Sequence, residues 1–439
     1  MLRLAIPLTL GMLFQVAFNL VDAYFIGGLG TDAFAAVNLA SFSIWLLSAV
    51  VGVVGTGANA RVAQVLGSKL PSLVSELRTQ ALRLSLLLGF ITSAAGLAGV
   101  ERLTQLMTGH SPETGLAALL ASQYLSVIFL AAPLLCFNDT CAAIFRGASD
   151  TRTPTLVLSL GFVLNALLDP ILIYGWGPIP KLGVVGAALA SVLSFLFSSL
   201  LFAYRGRAWL APGLPKNSRF SQVPNMLKIG FPPSVTNIVF CLVYMGVTPY
   251  IAGEGTEALA ALGLGHKVIS ISYFLCLSFS LAATTLTGES TGAENTSQAR
   301  HRGWVTVVVS GCANGLVGLA LMVFSSDICS LFVKDSAVVQ MASSYLLIVV
   351  PSQVLLGIGM SIEGAFAGFG HTTAPMIISV LSSLARWPAV AWVANSTAWG
   401  TTGFWWMFAM STHLRGLGLL ALLFHDRKSS IRLQSVTKF

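Results

Sequence analysis

A chain of 439 residues with 55% hydrophobic and only 9% charged residues is not an ordinary soluble domain, since such domains carry about 25% charged side chains. Its net charge of +8 is spread loop by loop, not gathered in one basic face, which argues against a nucleic-acid partner. The six cysteines are scattered with no CxxC or Cys/His cluster, so neither a disulfide framework nor a metal site is supported, and no cofactor is expected.

Twelve apolar segments follow one another, at roughly 4–28, 36–60, 79–100, 119–144, 154–175, 184–204, 229–251, 259–286, 303–325, 341–366, 375–396 and 404–424. Each is long enough to cross a bilayer, for which about 20 residues suffice. The first begins like a signal peptide at Met1–Arg3, but it is too long, lacks a small-residue cleavage site and runs on into polar residues. With the N-terminus placed in the cytoplasm, 18 Lys and Arg fall on the cytoplasmic side and 3 on the other, while Lys267, Arg386 and Arg415 lie within spans. That bias puts both termini inside.

The first span carries Pro7 near its start and Gln15, Asn19 and Asp22 further along. Asn19 and Asp22 are three apart and share a helix face. Two readings of Asp22 stand side by side: a carboxylate aimed into a water-filled cavity or ion path, or a solvated helix end at the headgroups. In span 4, Asn138 and Asp139 extend a polar network or mark a helix end. In span 5, Asn165 precedes Asp169 by one turn, and Asp169-Pro170 reads either as part of a buried site or as a helix stop. At 1.5 Å per residue Asp22 lies about 27 Å and Asp169 about 22 Å along their outward-running spans, so both share a level in the outer half.

The second half repeats the first. Pro7 pairs with Pro232, Gly28 with Gly253 and Gly67 with Gly292, all 225 residues apart. Phe145-Arg-Gly-Ala-Ser-Asp-Thr-Arg-Thr-Pro154 pairs with Phe366-Ala-Gly-Phe-Gly-His-Thr-Thr-Ala-Pro375 at a separation of 221. The expected division is an N-terminal six-helix lobe at 1–210, a cytoplasmic linker at 211–228, a C-terminal six-helix lobe at 229–424 and a basic cytoplasmic tail at 425–439. Six spans per repeat give both copies the same topology, and transporters of this kind bind substrate between the halves and rock them against each other.

The repeat is broken where it matters chemically. Asp22 maps onto Val247, Asp169 onto Val390 and Asn165 onto Arg386. In the second half Asn237, Lys267 and Arg386 remain as candidate contacts, with Glu363 off-centre in span 10. Arg386 either pairs with a carboxylate or holds its lobe packed.

Ile6-Pro7, Asn19-Leu-Val-Asp22, Gly30-Thr-Asp-Ala-Phe-Ala-Ala36, Ala63-Gln-Val-Leu-Gly67, Arg146-Gly-Ala-Ser-Asp-Thr-Arg-Thr-Pro154 and Leu164-Asn-Ala-Leu-Leu-Asp-Pro170 occur in order, with second copies after Lys228. Taken together they resemble the MATE (multidrug and toxic compound extrusion) family over essentially the whole chain. The resemblance implies an all-α membrane protein with twelve transmembrane helices in two pseudo-symmetric six-helix bundles. It further implies an antiporter, not an enzyme, that exports organic and often cationic, amphipathic compounds against inward H⁺ or Na⁺. The family's first-helix acid falls on Asp22, its fifth-helix Asn and Asp on Asn165 and Asp169, and its helix-bending proline on Pro7; Asn19, Asn138 and Asp139 stand beside them as candidates for the supporting polar network from the residue reading. The chain departs from the pattern at Phe18, where a tyrosine is common, and in helices 7 and 10, where acids of one branch are replaced by Thr236, Asn237 and the displaced Glu363. That places it nearest the branch with carboxylates only in the N-terminal lobe. The expected partners are small organic molecules and the lipid bilayer, the expected state a monomer and the expected location the bacterial cytoplasmic membrane. A lipid-linked oligosaccharide flippase of the same superfold is the alternative.

Overall fold

The structure is a computed structural model and describes residues 2–108, 115–206, 221–396 and 399–428. The architecture is all-helical. The first half supplies α1 (Leu2–Gly27), α2 (Thr31–Gly67), α3 (Pro71–Thr108), α4 (Gly115–Leu130), α5 (Ala132–Gly147), α6 (Arg152–Tyr174) and α7 (Gly183–Arg205). The second supplies α8 (Val223–Ala252), α9 (Thr256–Gly292), α10 (Thr296–Val323), α11 (Ser325–Phe332), α12 (Ser336–Val349), α13 (Ser352–Phe369), α14 (Thr373–Leu384), α15 (Arg386–Ser396) and α16 (Gly400–Lys428). Eleven helical stretches are long and apolar enough to cross a membrane, twelve when the bent pair α4–α5 counts as one span. The chain is therefore a multi-pass membrane protein.

The predicted fourth and tenth spans are not single rods. α4 and α5 meet at 53° around Ala131, two residues before Pro133. The tenth is divided into α12 and α13 at Val350-Pro351. In both cases a proline supplies no backbone N–H, so the helical ladder loses a rung at the break. The apolar pattern that marked these spans is blind to such a break, because hydropathy carries on across it.

The repeat also appears in the backbone. Gly30 and Gly255 open α2 and α9 at φ +113° and +115°, a conformation that glycine alone adopts freely. Lys69 and Glu294, the same 225 residues apart, both take φ +57°, and Ser149 and Gly370 are both left-handed at a separation of 221. Turn geometry has survived where the side chains differ.

The chain divides into two compact units. Leu10–Val62 and Leu70–Phe231 form the first; the opening turns of α1 and residues 63–69 cluster with residues 232 onward in the second. In the first unit α3 packs on α4 and α5, and α7 packs on α4, α5 and α6. One core gathers Ile26, Leu47, Tyr124, Leu125, Ile128 and Ile173. In the second unit α9 packs on α10, α12 and α13, and α16 on α12, α13, α14 and α15. Its largest core gathers Val247, Ile251, Tyr345, Val390, Trp405 and Phe408.

Candidate functional site: a carboxylate pair in the first unit

In the first unit α1 and α6 are fastened at three levels. Nearest the start of each helix, Gly11 lies so close to Thr155 that an added Cβ would sit 3.2 Å from its methyl group. Further along, the Phe18 and Phe162 rings stack with centroids 5.2 Å apart. At the C-terminal ends the Tyr174 hydroxyl donates to the Phe25 carbonyl at 2.5 Å. Phe18, the departure from the family's tyrosine, thus serves as a stacking partner across the pair.

Asp22 and Asp169 lie between the upper two fasteners. They are close enough to feel each other's charge, and both face Tyr124 of α4, whose hydroxyl also pairs with Ser191 of α7. Asn165 donates from Nδ2 to Ser191 Oγ at 3.2 Å. Asp169 is fully buried and Asn165 nearly so, at 0% and 2% exposure, while Asp22 is partly buried. Both Asp169 oxygens, one Asp22 oxygen and Asn165 Oδ1 are buried and accept no hydrogen bond.

The helix-stop reading of Asp169-Pro170 therefore fails. α6 continues through Pro170 to Tyr174, and the carboxylate points into the unit. Pro170 also leaves the Ala166 carbonyl without its helical donor, adding an acceptor to the same region. Buried carboxylates with unfilled acceptor positions are costly unless something supplies a proton, a cation or water. The arrangement can therefore take up and release a small cationic species.

The other sequence candidates fall elsewhere. The backbone of Asn19 is helical, but its side chain lies outside the described residues. Asn138 does not join the acids: it donates to the Phe195 carbonyl at 2.9 Å and accepts from Ser199 Oγ at 2.9 Å, tying α5 to α7. Asp139 pairs with Arg146 two turns on, at 3.6 Å. Gly55 makes room for it, since a Cβ there would meet the Asp139 carboxylate. Pro7 lies within α1, which is continuous through it. Among the described residues no group of three or more His, Cys, Asp or Glu could hold a metal ion.

In the second unit Asn237 and Lys267 are exposed. Glu363 is engaged by Arg415 Nη2, 2.8 Å from each carboxylate oxygen, and by Ser379 Oγ. Arg386, in contrast, has no carboxylate partner among the described residues. Its Nε donates to Ser411 Oγ at 2.9 Å, and its guanidinium lies 5.6, 5.4 and 5.1 Å from the centroids of Phe240, Tyr244 and Phe408.

Sequence reading missed Tyr124 and Ser191. Tyr124 sits beside Ser122, Gln123 and Ser126, and Ser191 shares its span with Ser194, Ser198 and Ser199, so no spacing motif singles either of them out. Their place in the site follows from the packing of α4 and α6 on α7.

Two bundles of spanning helices, repeated in sequence and in turn geometry, with an unpartnered carboxylate pair inside one of them, define a duplicated membrane transporter. The MatE family model matches residues 7–171 and 232–392, one copy in each half, and the chain belongs to that family. It is 27% identical over 414 residues to a protein of Thermotoga maritima named probable multidrug resistance protein NorM, covering 92% of this chain and 87% of that one. It is 25% identical to an FAD transporter of Shewanella oneidensis, over 87% of this chain and 84% of the relative. Its fold matches the solved structure of a multidrug resistance MATE transporter of the MOP superfamily in an outward-facing conformation, with a TM-score of 0.90, 24% identity and coverage of 100% and 96%.

Proposed function

We propose that this protein is a secondary active antiporter that exports organic compounds across the bacterial cytoplasmic membrane in exchange for inward H⁺. The observation that carries the reading is the Asp22–Asp169 pair on α1 and α6, three of whose oxygens are buried and accept no hydrogen bond from a described residue. Relatives named for multidrug resistance support export of drug-like molecules. Because one relative is named for FAD, the reading covers organic compounds and not one cation class alone. The chain acts by transport and not by catalysis, with both termini in the cytoplasm and a single chain as the working unit.

In this reading the pair takes a proton from outside and returns it inside. Two interacting carboxylates titrate as one unit. Protonation removes charge from the first unit, and α1 bends at Pro7, where the ladder lacks an N–H. Substrate release and proton uptake are thereby coupled. Each pH unit supplies about 1.4 kcal/mol per proton, roughly tenfold accumulation for a one-for-one exchange. Na⁺ is the rival coupling ion. The second unit argues against a Na⁺ site of its own, since Glu363 is already held by Arg415. A lipid-linked oligosaccharide flippase would need cationic groups where the first unit carries acids, so that reading is less well supported.

The test is uptake of a fluorescent cationic dye into everted membrane vesicles, with pH and Na⁺ gradients imposed separately. Uptake driven by an acidic lumen and unmoved by a Na⁺ gradient is the expected result. Uptake driven only by Na⁺ would overturn proton coupling, and lipid scrambling without dye uptake would overturn export.

A further inference from the structure

The second unit holds a counterpart of the carboxylate site in which the charge is positive. Asn19, Tyr124 and Asn165 correspond, at the separations of the repeat, to Tyr244, Tyr345 and Arg386. Ser411 meets Arg386 at 2.9 Å as Ser191 meets Asn165 at 3.2 Å. Where the first unit adds two carboxylates, the second has Val247 and Val390, both fully buried in its core.

Arg386 is 6% exposed and lies at the start of α15, where the span breaks after Leu384. A guanidinium this deep is expensive without a counter-ion. Arg415 is a second cation close enough to feel its charge, and Arg415 itself holds Glu363 through two contacts. Nε is the only guanidinium nitrogen that donates to a described residue, and the two terminal nitrogens donate to none. These are the nitrogens that form a bidentate fork with a carboxylate.

The walls of this site are aromatic. Phe240, Tyr244 and Phe408 surround the guanidinium. His266 Nε2 lies 2.6 Å from the Tyr244 hydroxyl, and the His266 ring packs against Tyr345. Tyr345, Trp405 and Phe408 are buried on one side, while Phe240 and His266 are only partly buried. Trp405, next to Tyr345 and Phe408, carries a buried indole N–H without an acceptor. Unused donors and ring faces in one place suit a planar anion better than a small inorganic one, because only the former fills both.

We infer that Arg386, with Phe240, Tyr244 and His266, forms a subsite for the carboxylate of an aromatic organic molecule, so that the transporter takes substrates bearing an anionic aromatic group. The inference rests on the export reading for its biological use but not for the binding itself. Arg386 supplies the fork, Phe240 and His266 supply the faces on which the ring lies, and Ser411 holds the guanidinium in orientation.

The test is titration of the purified full-length protein in detergent with 1-naphthoate, its uncharged analogue 1-naphthalenemethanol, and sodium chloride as competitor. The expected result is binding of naphthoate at least about tenfold tighter than of the alcohol, with chloride unable to displace it. Equal affinity for the two, no binding of naphthoate, or displacement by chloride at comparable affinity would each overturn the subsite. Arg386→Gln should lower naphthoate affinity about tenfold or more and leave that for the alcohol in place. If that variant does not fold, Phe240→Ala at the partly buried edge carries the test, with a several-fold weakening of naphthoate expected; no change there would also overturn it. Dye uptake in vesicles is read alongside. Naphthoate binding without dye uptake supports the subsite while refuting the export reading. Dye uptake without naphthoate binding does the reverse.

Discussion

At the positions that the repeat pairs with Asp22 and Asp169 of the first unit, the second buries Val247 and Val390, and where the first has Asn165 the second has Arg386. The surrounding frame is the same in both. A span broken near a proline, a tyrosine facing the site, a serine receiving its amide or guanidinium donor and a glycine turn at φ near +114° recur in each half. Duplication has kept the scaffold and divided the charges. In the reading proposed above the acidic copy exchanges protons, while the valine positions of the other are apolar core.

The sharpest way to break this comparison is to remove the acids. Asp169→Asn and Asp22→Asn should each reduce dye uptake in vesicles by about a hundredfold, to background, with protein levels unchanged. Uptake near the normal rate in both would refute the proton role. The same variants should leave any residual uptake independent of lumen pH, whereas the unmodified protein should speed up as the lumen is made more acidic.

Pro7→Ala asks whether α1 must bend. Restoring the N–H restores the ladder, and uptake should fall about tenfold while the unbent helix stays stable. Full activity would remove bending from the mechanism and leave the acids untouched.

Val247→Asp copies the first unit's chemistry into the second. Val247 is fully buried in the core that also holds Ile251, Tyr345 and Phe408, so the variant should lose about 3 kcal/mol of stability, read as a lower melting temperature in detergent. A neutral outcome would show that the second unit tolerates charge at this level, and the contrast between the halves would lose its physical basis.

Much of this was readable from the chain. Hydropathy gave the spans, the 225-residue repeat gave the duplication, and the pairing of acids with valines gave the asymmetry, because each depends on residue type at a fixed spacing. Asp169 illustrates the limit. Asp-Pro reads equally as a helix stop or a buried site, and only the continuation of α6 to Tyr174 decides between them. Asn138 and Asp139 looked like neighbours of the acids, yet one anchors α5 to α7 and the other pairs with Arg146. Adjacent residues on a helix point about 100° apart, so proximity in sequence does not make them partners of one site.

By itself, then, the sequence determined the membrane class, the doubled architecture and which acids lack a counterpart in the second half, since these follow from composition, periodicity and comparison of the two copies. The tertiary structure alone decided that Tyr124 and Ser191 complete the acid site, that Arg415 takes Glu363, and that Arg386 is left with aromatic rings in place of a counter-charge. Those pairings join residues dozens of positions apart on different helices. Helix rotation and packing set them, and neither is written in local spacing.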